Sequence, residues 1–367
     1  MIYLDNAATT LQKPPEVYRA VRQAMQLCAS PGRGGYEAAR RAEETVYRTR
    51  ALAAEFFDCA PEQVCFTSCA TEGLNAAIRT LVGRGDRVVI SGLEHNAVTR
   101  TLHAAGAELR TVTAPLFDEA GWLEAFSDAL RLPAAAVVCT QVSNVFGAVL
   151  PIDGLARLCA DRGVPLIVDA SQGAGLLPVR LRAWRAAFVA MPGHKGLLGP
   201  QGTGLLLCGR TPEPLLFGGT GSQSVEQEMP DFLPDRMEAG TQNVPGIAGL
   251  GAGLQWLQRQ DPDALLRRER GLIRRMGEGL AKRGAEVWMG EGQAGVLSFR
   301  IPGTDPEETA ARYAAAGIAV RAGLHCAPLA HATAGTLPAG TVRLSVSPLT
   351  EPAAAEQFLR LTAAMLF

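Results

Sequence analysis

The sequence predicts an α/β protein, with a mainly parallel sheet covered by helices and a second, smaller α+β lobe. Three observations carry this expectation. Between about residues 64 and 208, short runs rich in Val, Ile and Leu alternate with segments of helical period, the mark of parallel strands buried on both faces. From about residue 261 the pattern changes to long helices and isolated strands. The chain has 367 residues, 47% hydrophobic and 19% charged, which is enough apolar material for a sizeable core and too much for disorder.

Val64–Thr67 reads as a strand, and Thr71–Val82 as a helix with Leu74, Ile78 and Leu81 on one face. Arg87–Ile90 is the next strand and His95–Ala105 the next helix. Strand Ala134–Cys139, helix Ile152–Asp161 and the strands Val164–Val168, Ala186–Ala190 and Gly204–Cys208 continue the series. The second lobe holds helices Pro262–Arg283, Pro306–Ala316 and Pro352–Leu366, with strands near 295–301 and 341–346. Residues 267–284 carry Arg267, Arg268, Arg270, Arg274, Arg275, Lys282 and Arg283 with Glu269 and Glu278 between them. That mixture reads as a solvated helix face.

Lys and Arg number 35 against 36 Asp and Glu, a net charge of −1. This balance argues against a dedicated nucleic-acid binder or a basic membrane-surface protein. The apolar stretches stop short of a membrane span, and MIYLDNAATT lacks a signal-peptide layout, so a cytoplasmic protein is expected. The eight cysteines, at 28, 59, 65, 69, 139, 159, 208 and 326, include no C-x-x-C pair. Zinc and thioredoxin signatures are therefore missing, no metal site is expected, and most of these cysteines read as small buried apolar residues. Only three of the 35 basic residues are lysines: Lys13, Lys195 and Lys282. A chain that otherwise uses Arg for positive charge keeps Lys where a neutral amine must attack a carbonyl.

Four segments fall where ligands gather, beyond the carboxyl ends of strands or in a loop. In FTSCATEGLN a strand ends at Thr67 and a helix follows, offering hydroxyls and free N–H groups to an anion, or an ordinary N-cap at Thr71. VPLIVDASQGAG delivers Asp169 to the sheet edge, where its carboxylate could pair with a protonated ring nitrogen, hold a metal or cap a turn. FVAMPGHKGLLGPQGTG places His194 and Lys195 among glycines after the next strand. An amine and a carboxylate at successive strand ends make the arrangement of pyridoxal-phosphate chemistry. In VRAGLHCAPLAH, Cys326 follows His325 in a segment whose Gly323 and Pro328 indicate a loop, where a thiol is accessible.

YLDNAATT, KPP, TSCATEGLN, EHNAV, VSNVFGAVLP, VDASQGAG, GHKGLLGPQGTG, EAGTQN and VRAGLHCAP follow one another in the order found in cysteine desulfurases. From residue 2 to about 346 the chain resembles their Suf-type, selenocysteine-lyase-like branch, within the class V aminotransferases. The resemblance implies the PLP-dependent transferase fold type I and a homodimer. It implies a large domain over 16–255 and a small one formed by 1–15 and 256–367. The implied reaction converts L-cysteine to L-alanine, with sulfur passed to an enzyme cysteine as a persulfide and on to an acceptor protein. Selenocysteine lyase, acting on L-selenocysteine, and a true aminotransferase, which needs no Cys326, are the alternatives.

By the same resemblance Lys195 bears pyridoxal 5'-phosphate, Asp169 pairs with its ring nitrogen and His95 stacks on its ring. Gln172 meets its phenolic oxygen, while Thr71, His194 and, across the dimer interface, Thr241 contact its phosphate. Asn144 and Arg343 receive the substrate carboxylate, Arg343 through its fork, and Cys326 is the sulfur acceptor. Three positions depart from the pattern. Pro192 and Ala70 stand where relatives have hydroxyls, which implies looser cofactor binding. Leu324 replaces a second histidine, leaving His325 as the acid–base candidate in that loop.

Overall fold

The computed structural model describes residues 1–32 and 34–366. In chain order its strands are β1 (Ile2–Tyr3), β2 (Val64–Thr67), β3 (Arg87–Ser91), β4 (Glu108–Val112), β5 (Ala136–Thr140), β6 (Leu166–Asp169), β7 (Phe188–Pro192), β8 (Gly204–Cys208), β9 (Glu286–Trp288), β10 (Val296–Arg300), β11 (Ile318–Ala319), β12 (Arg321–Gly323) and β13 (Thr341–Ser345). Strands β2 to β8 form one seven-stranded sheet in the order β2-β8-β7-β6-β5-β3-β4. Its only antiparallel member is β8, which pairs in that sense with both β2 and β7.

Both faces of this sheet are buried, and the strand sequences say so directly. Val88 and Ile90 pack on one face with Leu74, Ile78, Val98 and Leu102. Val89 points the other way, into a cluster with Val137, Val168, Trp122 and Phe126. Period-two alternation between two apolar faces is what a helix-covered parallel sheet requires. The expected strands appear with shifts of at most two residues at their starts, and the helix after β2 runs Ala70–Leu81.

The helix Val244–Gln258 has Pro245 in its first turn. Its sequence VPGIAGLGAGLQWLQ is apolar on all sides and dense in glycine, so neither amphipathic period nor propensity marks it. The glycines are there for close approach. A Cβ at Gly253 would lie 2.4 Å from the Leu197 carbonyl oxygen, and one at Gly251 would lie 2.5 Å from Thr49 Oγ1. This helix thus forms the floor beneath the loop after β7.

A four-stranded antiparallel sheet, β12-β13-β10-β9, makes the second layer system. Its core holds Leu297, Phe299, Tyr313, Val342, Leu344 and Phe358, with Tyr313 and Phe358 stacked at 5.3 Å between ring centroids. The N-terminal strand β1 pairs in parallel with β11, and Asp5 bridges to Ser345 of β13. No described helix is long and apolar enough to cross a membrane.

The basic helix, Pro262–Ala281, corrects one expectation. Glu269 does not lie on its solvated face: it is buried, at 4% exposure. A Cβ on Gly295 would lie 2.2 Å from Glu269 Oε2, so only glycine leaves room for the carboxyl. Arg268 turns away to donate to the Thr350 carbonyl at 2.9 Å. The helix period placed an acid among Leu265, Leu272, Ile273 and Met276, which face the core.

Burial pushes the Glu269 carboxyl from its usual 4.5 up to about 8. A raised carboxyl pKa means that the folded state holds a proton the unfolded chain has released. Stability from this group is complete below pH 4.5 and falls as pH rises to about 8. Glu269→Gln removes that loss. At pH 9 the variant should melt above the parent, by an amount on the order of a few kcal/mol, and near pH 4.5 the two should nearly coincide. Scanning calorimetry at both pH values checks this; a difference independent of pH would contradict it.

Candidate active site

Four neighbouring parallel strands bring their carboxyl ends to one edge of the large sheet. Asp169 ends β6, in register with Thr140 on β5 and Ala190 on β7. His95 lies four residues past the end of β3, Asn144 four past β5 and Lys195 three past β7. The second sheet supplies Arg343 from within β13 and Cys326 from the turn after β12. The charges of Asp169 and Arg343 act on both His95 and Lys195, which places the four in one cluster.

Desolvation lowers the Lys195 amine to about 8, and the Arg343 charge pushes in the same direction against Asp169 and Asp5. Near neutral pH a useful share of this amine is unprotonated and nucleophilic. His95 occupies the N-cap position of the helix Asn96–Ala105, where its Nδ1 accepts from the Ala97 N–H at 3.0 Å. In the neutral ring the proton therefore sits on Nε2. Burial holds its pKa below the usual value. Asp169 Oδ1 accepts from the Ser171 N–H at 2.9 Å. Among the described residues no hydrogen bond reaches Asp169 Oδ2.

Cys326 is the only exposed cysteine of the eight. His325 and Cys326 have φ of 50° and 57°, two consecutive non-glycine residues in the left-handed region, which is held only by outside contacts. Those contacts come from the large sheet: the Asn96 N–H donates to the Cys326 carbonyl at 2.7 Å, and Asn144 Nδ2 to the His325 carbonyl at 2.8 Å. Burial pushes the thiols of Cys59 and Cys159 up to about 12, which keeps them protonated and inert.

His325, the acid–base candidate of that loop, is turned into the protein rather than open at its surface. Its ring is buried, and Nε2 must donate to the Thr341 carbonyl at 3.1 Å because a carbonyl only accepts. Burial, reinforced by Arg343, lowers its pKa to about 2, so it stays neutral and serves to anchor the turn. His95 is the imidazole that shares the Lys195–Asp169 cluster.

The residues expected to meet a phosphate are more dispersed. Cys69, not Thr71, is the N-cap residue of Ala70–Leu81, and it makes no side-chain cap, so first-turn N–H groups stay open. Thr71 is exposed in that first turn. His194 Nδ1 lies 3.0 Å from Thr9 Oγ1, and burial lowers its pKa to about 4. Thr241 is exposed in a cleft of about 470 Å³ that Thr67 and Ser68 also line. It is not a helix cap; Asn243 caps Val244–Gln258 by accepting from the Gly246 N–H at 3.0 Å. Gln172 Nε2 donates to the Ala7 carbonyl at 3.0 Å.

The residues fit pyridoxal phosphate: a depressed lysine amine, a carboxylate oxygen without a donor, and an uncapped helix terminus at one sheet edge. Arg343 is suited to a carboxylate. It is 3% exposed, donates through Nη1 to the Asn144 carbonyl at 3.0 Å and through Nη2 to Asp5 Oδ1 at 2.8 Å, and keeps a buried Nε without a partner.

Three further residues at the site carry no role in the sequence reading. Asp5 was inside a quoted motif, yet only the tertiary pairing shows its partners. Lys13 was flagged by lysine rarity. Its Nζ donates to the His194 carbonyl at 3.0 Å, and burial lowers it to about 8, so it braces the Lys195 loop. Glu94 opens the EHNAV motif, yet nothing in the sequence shows that it is buried. It is fully buried behind His95, accepts from the Thr140 N–H at 2.8 Å, and is raised to about 8 by burial.

Residues 2–358 match the aminotransferase class-V family. The chain belongs to that family. It is 33% identical over 362 residues to a probable cysteine desulfurase of Methanothermobacter thermautotrophicus, covering 94% of this chain and 90% of that protein. It is 30% identical over 346 residues to another from Pyrococcus abyssi, covering 89% and 85%. Among solved structures it resembles the apo form of a cysteine desulfurase from Thermococcus onnurineus, with a TM-score of 0.90 and 30% identity, covering 100% of this chain and 94% of that one.

Borohydride reduction of the cofactor-loaded protein should fix the label on the peptide containing Lys195. Label on the Lys13 or Lys282 peptide would overturn the assignment.

Proposed function

We propose that this protein is a pyridoxal-phosphate-dependent cysteine desulfurase that takes sulfur from L-cysteine and leaves L-alanine. The observation that carries the reading is Cys326, the one exposed cysteine, held in a left-handed turn beside the Lys195 cluster. A transaminase has no need of such a thiol.

Lys195 would hold the cofactor, Asp169 Oδ2 its ring nitrogen, His95 its ring face and Gln172 its phenolic oxygen. The open first turn of Ala70–Leu81, Thr71 and His194 would hold its phosphate. When bound, the cofactor supplies a sink for the electron pair released at the substrate Cα. Arg343 and Asn144 orient the substrate carboxylate, and the Lys195 amine takes the Cα proton. The Cys326 thiolate attacks the substrate sulfur; the new S–S bond forms as the substrate C–S bond breaks, and the carbon fragment gains protons to become alanine. The persulfide then passes to an acceptor protein in the cytoplasm.

We further propose a homodimer in which Thr241 crosses to the partner's phosphate site. Its exposure beside the start of Ala70–Leu81 supports this reading. Closed two-fold symmetry would make two identical shared sites.

Cys326→Ser should bind L-alanine as the parent does yet release no sulfide from L-cysteine, a loss of at least about a hundredfold, since hydroxyl cannot replace thiolate. Sulfide release within twofold of the parent would remove Cys326 from the reaction. Assaying selenide from L-selenocysteine alongside distinguishes a lyase preference.

Mixing inactive Lys195→Ala with Thr241→Asp at limiting cofactor tests the dimer. Subunit exchange should restore activity if Thr241 acts across the interface, because each mixed dimer then has one intact site. If Thr241 acts within its own chain, mixing restores nothing.

A further inference from the structure

β12 and β13 pair with Arg321 directly opposite Arg343. Two like charges facing each other across a strand pair repel, and Arg343 is buried where water cannot screen it. One carboxylate resolves the conflict. Asp5 Oδ2 accepts from Arg321 Nε at 3.0 Å and Nη2 at 2.8 Å, while Oδ1 accepts from Arg343 Nη2 at 2.8 Å. Each oxygen serves mainly one arginine. Because one negative charge faces two positive ones, the group keeps a net positive charge.

The two anchors of Arg343 also set its plane. Nη1 is tied to the Asn144 carbonyl and Nη2 to Asp5, which leaves Nε as the one corner without an acceptor. A carboxylate can then be met side-on by Nε and an adjoining Nη proton. Asp5 is itself held in register. Its backbone bridges to Ser345, the Ala7 N–H donates to Ser345 Oγ at 2.8 Å, and the Ala7 carbonyl holds Gln172. Farther along the same arm, the Thr10 N–H donates to the His194 carbonyl at 3.1 Å.

We propose that Asp5 is a positioning residue for substrate recognition: its carboxylate, shared between Arg321 and Arg343, aims the free edge of Arg343 at the substrate α-carboxylate. This rests on the proposed role of Arg343. Asp5→Asn keeps the shape and one acceptor oxygen but removes the charge, so the paired guanidinium groups repel and Arg343 loses its aim.

The test uses holoenzyme and follows the absorbance of the bound cofactor during titration with L-alanine, which carries the carboxylate, and with ethylamine, which lacks it. Asp5→Asn should weaken L-alanine binding tenfold or more and change ethylamine binding less than twofold. In an Arg343→Lys background the same substitution should cost L-alanine less than threefold, since the two act as one unit. Asp5→Glu, which retains the charge, should lose less than Asp5→Asn and stands in if that variant does not fold. Equal weakening of both ligands, or of neither, would overturn the role of Asp5. If Arg343→Lys leaves L-alanine binding unchanged, the role of Arg343 itself fails.

Discussion

A guanidinium withdrawn from water has to be neutralised, and the arrangement around Arg343 follows from that need. Its counter-ion, Asp5, does not come from either sheet but from the first residues of the chain. To reach β13 the N-terminal segment must pair with β11, bridge to Ser345 and then cross toward the large sheet, where its backbone meets Gln172 and the loop of His194 and Lys195. One buried ion pair thus explains why residues at opposite ends of the chain, 5 and 343, lie side by side.

The same dependence between lobes governs Cys326. A turn with two non-glycine residues in the left-handed region does not hold itself. Its two carbonyls are taken by Asn96 and Asn144, both at the carboxyl edge of the large sheet. The thiol is exposed, but the peptide beneath it is fixed by the elements that hold His95 and the Arg343 anchor. The buried, neutral His325 ring locks the turn from the other side.

Two carboxyls, Glu94 and Glu269, are buried without a cationic side chain bonded to them. Both are raised to about 8 by burial, so near neutral pH each is largely protonated and adds little charge to the site. The Lys195 amine feels the charges of Asp169, Arg343 and Asp5, groups that the fold brings together from three separate stretches of chain.

Six strands of the large sheet were legible in the sequence as apolar runs bounded by turns, as buried strands must be, whereas the edge strand β4, ELRTV, was not, because most of its residues face water. Lys195 was legible through the rarity of lysine, and Asp169 through its place at the end of an apolar strand. The extent of the glycine-rich helix Val244–Gln258 was not, since an all-apolar helix lacks amphipathic period. Glu269 was misread because charge pattern along a helix does not say which face meets the core. The pairing of Asp5 with two arginines, the neutrality of His325 and the bracing of the Lys195 loop by Lys13 were decided by tertiary structure alone. Composition and periodicity report which residues leave water, whereas the partner a buried charge finds depends on contacts between residues more than 180 positions apart.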